Sequence, residues 1–233
     1  MSCDILVIAP HPDDAEIHLG ATIAAQIRRG LRVAVIDCTR GESASRGSPE
    51  QRLREAEQAA EIWGLSAREN LALPDGGLNA QDGEQRRCLV AAIRRHAPRW
   101  VLSICEHSRH PDHRAAHTLS RDACKCAAIH GYAAGIAAIA PPQLAFYEAE
   151  LPLVPDLLMP ANDADVAIKE ACLDCYESQW GSTSGGPNIA IAQPAFRAWI
   201  RQRGAQWGYH AGAPYAEALI RYEPWVGDRI FDQ

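Results

Sequence analysis

Three observations predict an α/β fold: a Rossmann-like, mainly parallel sheet flanked by helices on both faces. Short apolar runs alternate with longer amphipathic segments through the first half of the chain. The apolar runs are continuous rather than alternating, the pattern of strands covered on both sides. The segments joining them are of helix length, as crossovers between parallel strands require.

The elements follow in order. Ile5–Ala9 is a continuous apolar run and reads as the first buried strand. A polar turn over residues 11–14 leads into an amphipathic helix over about 16–29, and Gly30 supplies its stop. Residues 32–37 read as the second strand, followed by a Gly- and Ser-rich loop over 39–47. Ser48 is a good N-cap and Pro49 a good first helical residue, so a helix is predicted from there to Trp63. Residues 70–73 form a short strand ended by Pro74-Asp75-Gly76-Gly77. Residues 83–96 are helical, 100–104 form the next buried strand, and an Ala-rich helix runs over about 113–129. After Pro141 and Pro142 the pattern loosens. A strand is predicted at 144–148, a helix at 163–179, a flexible loop at 182–187 and a helix at 194–207. The 233 residues are read as one domain, with a core of about 1–140 and a C-terminal elaboration of about 141–233 that helps to wall the pocket.

Composition excludes some function classes. A net charge of -6 argues against nucleic acid, because phosphate contacts need a basic face. No apolar run approaches the ~20 residues needed to span a bilayer. The first strand begins at once, leaving no room for an export signal, so the expected location is the cytoplasm. There the eight cysteines are expected to be reduced. Cys172 and Cys175 make a lone C-x-x-C without a second pair, and Cys124 and Cys126 point to different faces of one helix.

The chemistry is concentrated in two clusters. His11-Pro12-Asp13-Asp14 follows the first strand, and His110-Pro111-Asp112-His113 follows the strand at 100–104. In open α/β sheets ligands collect at the carboxyl ends of strands, so the clusters should meet in one crevice. The first turn lacks the glycines of a dinucleotide site, and its two carboxylates would repel pyrophosphate. Singly, Asp13, Asp14 or Asp112 could cap the helix that follows it. Together, imidazoles and carboxylates at equivalent strand ends suit a catalytic zinc ion with an open position for water.

The runs Ala9 to Glu16 and His110 to His113 resemble the PIG-L/LmbE-like zinc N-deacetylases. Further likeness to the bacillithiol-type subgroup lies in Arg46-Gly47-Ser48, Arg52, Glu55, residues 68–71 and 73–78, Tyr176 to Gln179, and Pro214 to Glu217. The resemblance implies one zinc ion per chain held by His11, Asp14 and His113. It makes Asp13 the general base, His110 a protonated stabiliser of the transition state, and Asp112 the partner that orients His110. Arg52, and with it Arg46, would contact the substrate. One departure is Ala15, where many members carry Glu directly after the second Asp; here Glu16 comes next. The implied substrate is a small N-acetylated sugar, an N-acetylglucosaminyl conjugate such as N-acetylglucosaminyl malate, and the implied assembly a homo-oligomer, a hexamer. An amidase cleaving thiol conjugates in the same zinc site is the alternative chemistry. An inactive metal-binding protein would have no use for Asp13, His110 and Asp112. Of the other histidines, His117 shares a helix face with His113 and could reach the metal rim. His18 and His107 read as supporting or loop residues, and His210 as a residue that could enter the pocket late in the chain.

Overall fold

The structure, a computed structural model, describes residues 2–180 and 190–224. The loop expected at 182–187 lies outside the described residues. The strands are β1 (Ile5–Ala9), β2 (Val33–Thr39), β3 (Ala67–Leu73), β4 (Trp100–Ile104), β5 (Gln143–Tyr147), β6 (Leu157–Ala161) and β7 (Tyr215–Arg221). The helices are α1 (Asp14–Arg28), α2 (Pro49–Trp63), α3 (Gly83–His96), α4 (Pro111–Ala127), α5 (Asp163–Asp174), the single turn α6 (Glu177–Trp180) and α7 (Pro194–Ala211). They build the expected α/β architecture.

One seven-stranded sheet has the order β3-β2-β1-β4-β5-β7-β6. From β3 to β5 all neighbours are parallel, whereas β7 runs antiparallel to both β5 and β6. Every residue of β1 and β2 is buried, including Asp37 and Thr39 of β2, as in strands covered on both faces. The chain winds outward from β1 to β3 and then crosses back to β4 on the other side of β1. That reversal places a crevice between the carboxyl ends of β1 and β4, where doubly wound sheets bind ligands.

Local chemistry sets the boundaries. Ser48 accepts from the Gln51 amide and Pro49 opens α2, while Gly64 closes it in the left-handed conformation. Asp82 caps α3 in the same manner. The helix expected over 163–179 is interrupted after Asp174, and a separate turn holds Glu177–Trp180. Pro160 lies in β6, an edge strand, where a missing N–H costs no ladder bond.

The C-terminal third shares the main core. Cys172, Tyr176 and Leu219 belong to the same buried cluster as β1, β2 and β4. In α7 a Cβ on Gly204 would fall 1.9 Å from the Tyr215 ring, so only glycine lets the helix lie this close to β7. An ion pair adds a second tie. Lys169 of α5 is buried and donates to Glu217 Oε1 of β7 at 2.6 Å and to the Ile17 carbonyl at 2.8 Å. Glu217 also accepts from the amides of Thr22 at 2.7 Å and Ala21 at 3.2 Å in α1. Lys169→Met would strand a buried carboxylate, and is expected to cost about 3–5 kcal/mol. Urea unfolding with an unchanged slope would register this as a lowered midpoint. All eight cysteines are free thiols.

Candidate metal centre

The segment after β1 enters α1 through Asp13, whose φ of 120° lies in the left-handed region. For a non-glycine residue this is strained, and such strain persists where the surroundings hold it. Here Arg52 of α2 provides the hold. It donates to the Pro12 carbonyl and pairs with Asp13 Oδ2 at 2.9 Å, both side chains being buried. The segment after β4 enters α4 through His110, an N-cap whose Nδ1 accepts from the Asp112 amide at 3.2 Å.

The two segments meet. Asp14 lies between two imidazoles, with Oδ2 at 3.1 Å from His11 Nδ1 and Oδ1 at 3.3 Å from His113 Nε2. Each imidazole meets a different oxygen of Asp14, and each contact is close to the roughly 3.3 Å that separates neighbouring ligand atoms on a tetrahedral ion with bonds of ~2.0–2.1 Å. The His110 ring is close to both, at centroid distances of 4.7 Å from His11 and 4.9 Å from His113. Two triplets have donor atoms all within 4.8 Å of one another: His11, His110 and His113, and His11, Asp75 and Asp112. Both include His11, and neither includes Asp14. His11 Nε2 faces Asp75 Oδ1 at 3.1 Å and Asp112 Oδ2 at 3.2 Å, while its Nδ1 faces Asp14. An imidazole that binds a metal through one nitrogen commonly donates the other to a carboxylate, and His11 is held in that way.

Electrostatics agree with a site built around positive charge. Burial pulls the His11 pKa down, but hydrogen bonds to Asp112, Asp14 and Asp75 outweigh it and hold it well above the ordinary value. Burial opposes charge on His113 too, yet the charge of Asp14 and its hydrogen bond raise it to about 9. Burial would raise Asp14, but His113 and His11 hold it well below the usual carboxylate range. For Asp13 burial wins, pushing the carboxyl up to about 7 against the pull of Arg52.

The structure gives several expected residues different surroundings. The Asp112 carboxylate does not serve His110; it accepts from His11 and from the amides of Gly76 at 2.7 Å and Leu78 at 3.2 Å. Only the Asp112 backbone reaches the His110 ring. Nor is His110 poised as an imidazolium, since burial, then the neighbouring His11 and His113, lowers its pKa. Arg52 lines the cleft but is committed to Asp13, and Arg46 is buried with its carbonyl accepting from Gln179. His117 is structural: Nδ1 lies 3.2 Å from the Ile104 carbonyl, and the ring packs tilted against Phe146 with 3.9 Å between centroids. His210 is exposed beside Trp207 on α7. His18 underlies Asp14, with Nε2 at 3.9 Å. Asp75, from the turn at 74–77, joins the site at His11, and Ser108 and Glu150 join it at His113 without any motif to announce them.

The centre opens into a cleft of about 750 Å³. Beyond the two clusters it is bordered by Ser43, Ala44 and Ser45, by Arg109, and by an apolar wall of Ile17, Ile191, Phe196 and Trp199. Among the described residues no helix is long and apolar enough to cross a membrane.

A family profile, PIG-L: GlcNAc-PI de-N-acetylase, matches residues 6–124, about half of the chain and both His/Asp clusters. The chain belongs to the PIG-L family. It is 30% identical over 161 residues to 1D-myo-inositol 2-acetamido-2-deoxy-alpha-D-glucopyranoside deacetylase of Geodermatophilus obscurus, the match covering 55% of each chain. The chain thus spans about half the length of the curated relatives it matches. Among solved structures, the conserved protein TT1542 of Thermus thermophilus has a TM-score of 0.88 and 34% identity over 99% of both chains. The 4-carboxy-2-hydroxymuconate hydratase of Pseudomonas putida KT2440 has a TM-score of 0.80 and 23% identity, covering 99% of this PIG-L chain and 100% of its own. At that identity the hydratase shows the shared fold alone.

Proposed function

We propose that this chain is a zinc-dependent hydrolase that removes the acetyl group from an N-acetylated amino sugar. The observation that carries the reading is the gathering of His11, Asp14 and His113 beside the buried carboxyl of Asp13, at the switch point of a PIG-L fold. Two imidazoles and one carboxylate, with room for water, are a donor set suited to catalytic zinc. The metal would supply the positive charge that polarises an amide carbonyl and acidifies water.

The remaining work falls to the chain. Asp13, beside the donor set but outside it and held by Arg52, accepts the proton of the attacking water as a positioned general base. His110 keeps Nδ1 occupied by the Asp112 amide, which leaves Nε2–H to donate to the oxygen where negative charge develops. Asp112 and Asp75 hold the His11 ring from behind. Substrates bearing N-acetylglucosamine are supported by the family's description and by the inositol glycoside deacetylase. Within that class we favour N-acetylglucosaminyl malate, for whose carboxylates Arg109 at the exposed rim is a partner.

Free-amine release across a panel of N-acetylglucosaminides, with zinc-loaded and chelator-stripped protein, tests the reading. Zinc-dependent release from at least one member is expected; folded, zinc-loaded protein that releases amine from none of them overturns it. The commitment of Arg52 to Asp13 makes a further prediction. Arg52→Gln should lower kcat and the melting temperature together, because the strained turn loses its clamp. A raised KM at constant kcat would instead mark Arg52 as a substrate contact.

A further inference from the structure

Behind His113, on the side away from Asp14, lies a chain of polar groups that no motif in the sequence announces. His113 Nδ1 is 3.0 Å from Ser108 Oγ. Ser108 Oγ is in turn 2.9 Å from both oxygens of Glu150. Glu150 Oε1 also accepts from the amides of Arg109 at 2.9 Å and His110 at 3.3 Å, and the His110 amide points to Ser108 Oγ at 3.1 Å. Glu150 comes from the segment beyond β5, so the C-terminal elaboration reaches across to the turn that carries the second cluster.

Hydrogen-bond bookkeeping gives this chain a direction. The Glu150 carboxylate is acceptor-only, so the hydroxyl of Ser108 donates to it. The Ser108 oxygen then has lone pairs for the His110 amide and for a proton on His113 Nδ1. A proton fixed on Nδ1 leaves Nε2, the nitrogen that faces Asp14, as the one whose proton a metal would displace. Glu150 thereby does for His113 what Asp75 and Asp112 do for His11. Glu150 Oε2 is 3.6 Å from His113 Nδ1, so Ser108 is the closer of the two to the ring.

We propose that Glu150, acting through Ser108, is a positioning residue that fixes the tautomer and orientation of His113 for metal binding. This rests on the proposed role of His113 as a ligand, and the experiment separates the two. Zinc affinity is measured by competition with a chromogenic chelator for the parent protein, Glu150→Ala, Glu150→Gln and Ser108→Ala, with the melting temperature of each metal-free protein in parallel. Parent protein that binds no zinc defeats the proposed function itself. Given a parent that binds, Glu150→Ala and Ser108→Ala should each weaken zinc about 10–100-fold, the usual cost of losing an outer partner. Glu150→Gln, which keeps an acceptor for Ser108, should recover most of that loss. Nitrogen-15 spectra of the zinc-bound parent should show His113 protonated at Nδ1. Glu150→Ala and Ser108→Ala proteins that bind zinc within threefold of the parent, or that lose only melting temperature, overturn the proposal. So does loss of affinity in Glu150→Ala with none in Ser108→Ala, which removes the relay. Should Glu150→Ala fail to fold, Ser108→Ala and Glu150→Gln decide the matter.

Discussion

Asp13→Asn is expected to bind zinc at the parental stoichiometry and to lose about 10²–10⁴ in kcat, the usual contribution of a positioned base. Asparagine suits the test for two structural reasons. It is among the few residues that tolerate a left-handed backbone, which position 13 requires. Its carbonyl also still accepts from Arg52, so the buried guanidinium is not abandoned as it would be in Asp13→Ala. What disappears is the capacity to take a proton. Elemental analysis of the purified variant beside initial rates on the best substrate gives the answer. Loss of zinc in step with loss of rate would make Asp13 a ligand and leave the base unassigned.

His113→Ala should fail in the opposite order. The metal itself is expected to go, with affinity falling by more than the ~10–100-fold that follows loss of an outer partner. The site lies at the mouth of the sheet, outside the hydrophobic core, so the variant's far-UV circular dichroism should match the parent's. Equal zinc content in His113→Ala and parent would break the proposed ligand set. The pair of variants thus separates holding an ion from using it.

Such tests are needed because the architecture alone does not choose the chemistry. A hydratase has the same fold at 23% identity, and folds of this kind host many reactions. Amide hydrolysis is indicated by the side chains at the switch point and by the family to which the chain belongs.

Elements bounded by strong local signals were legible in the sequence. Ile5–Ala9, Pro49–Trp63, Gly83–His96 and Trp100–Ile104 run where the apolar runs and caps place them. β3 begins three residues before the expected 70–73, because Arg68 and Glu69 hide its start. Tertiary pairing makes their charge tolerable: Arg68 is buried against Asp37 at 2.8 Å and Glu16 at 2.6 Å, and Glu69 meets Arg95 and His96. The same contacts explain Glu16, the residue next to the family departure at Ala15. Fully buried, it also accepts from Tyr176 at 2.8 Å, so it ties α1 to β3 and to the C-terminal third. β6 and β7 were not foreseen. β6 contains a proline, and β7 carries a Glu whose burial depends on Lys169, far away in sequence.

At the site, both His/Asp clusters could be read because strand ends and residue types coincide. Their meeting follows from the sheet order that the alternating pattern implies. The partners of their imidazoles could not be read. Asp75 sits in a turn whose sequence marks a strand end but no role, Ser108 and Glu150 sit in loops of ordinary composition, and only the fold brings them to His11 and His113. The carboxylate of Asp112 meets His11 rather than His110 for the same reason, since adjacency along a helix turn does not say which ring a side chain faces.

The placement of β7 between β5 and β6 bears on how the polypeptide is made. Residues 215–221 are flanked by strands that leave the ribosome well before them, since β6 ends at Ala161. Until they emerge, the margins of both earlier strands stand open, and at ~5–20 residues per second that interval lasts seconds. Open margins of this kind are templates for pairing with other chains. Nascent polypeptide stalled before residue 215 should therefore be the species most prone to capture by chaperones.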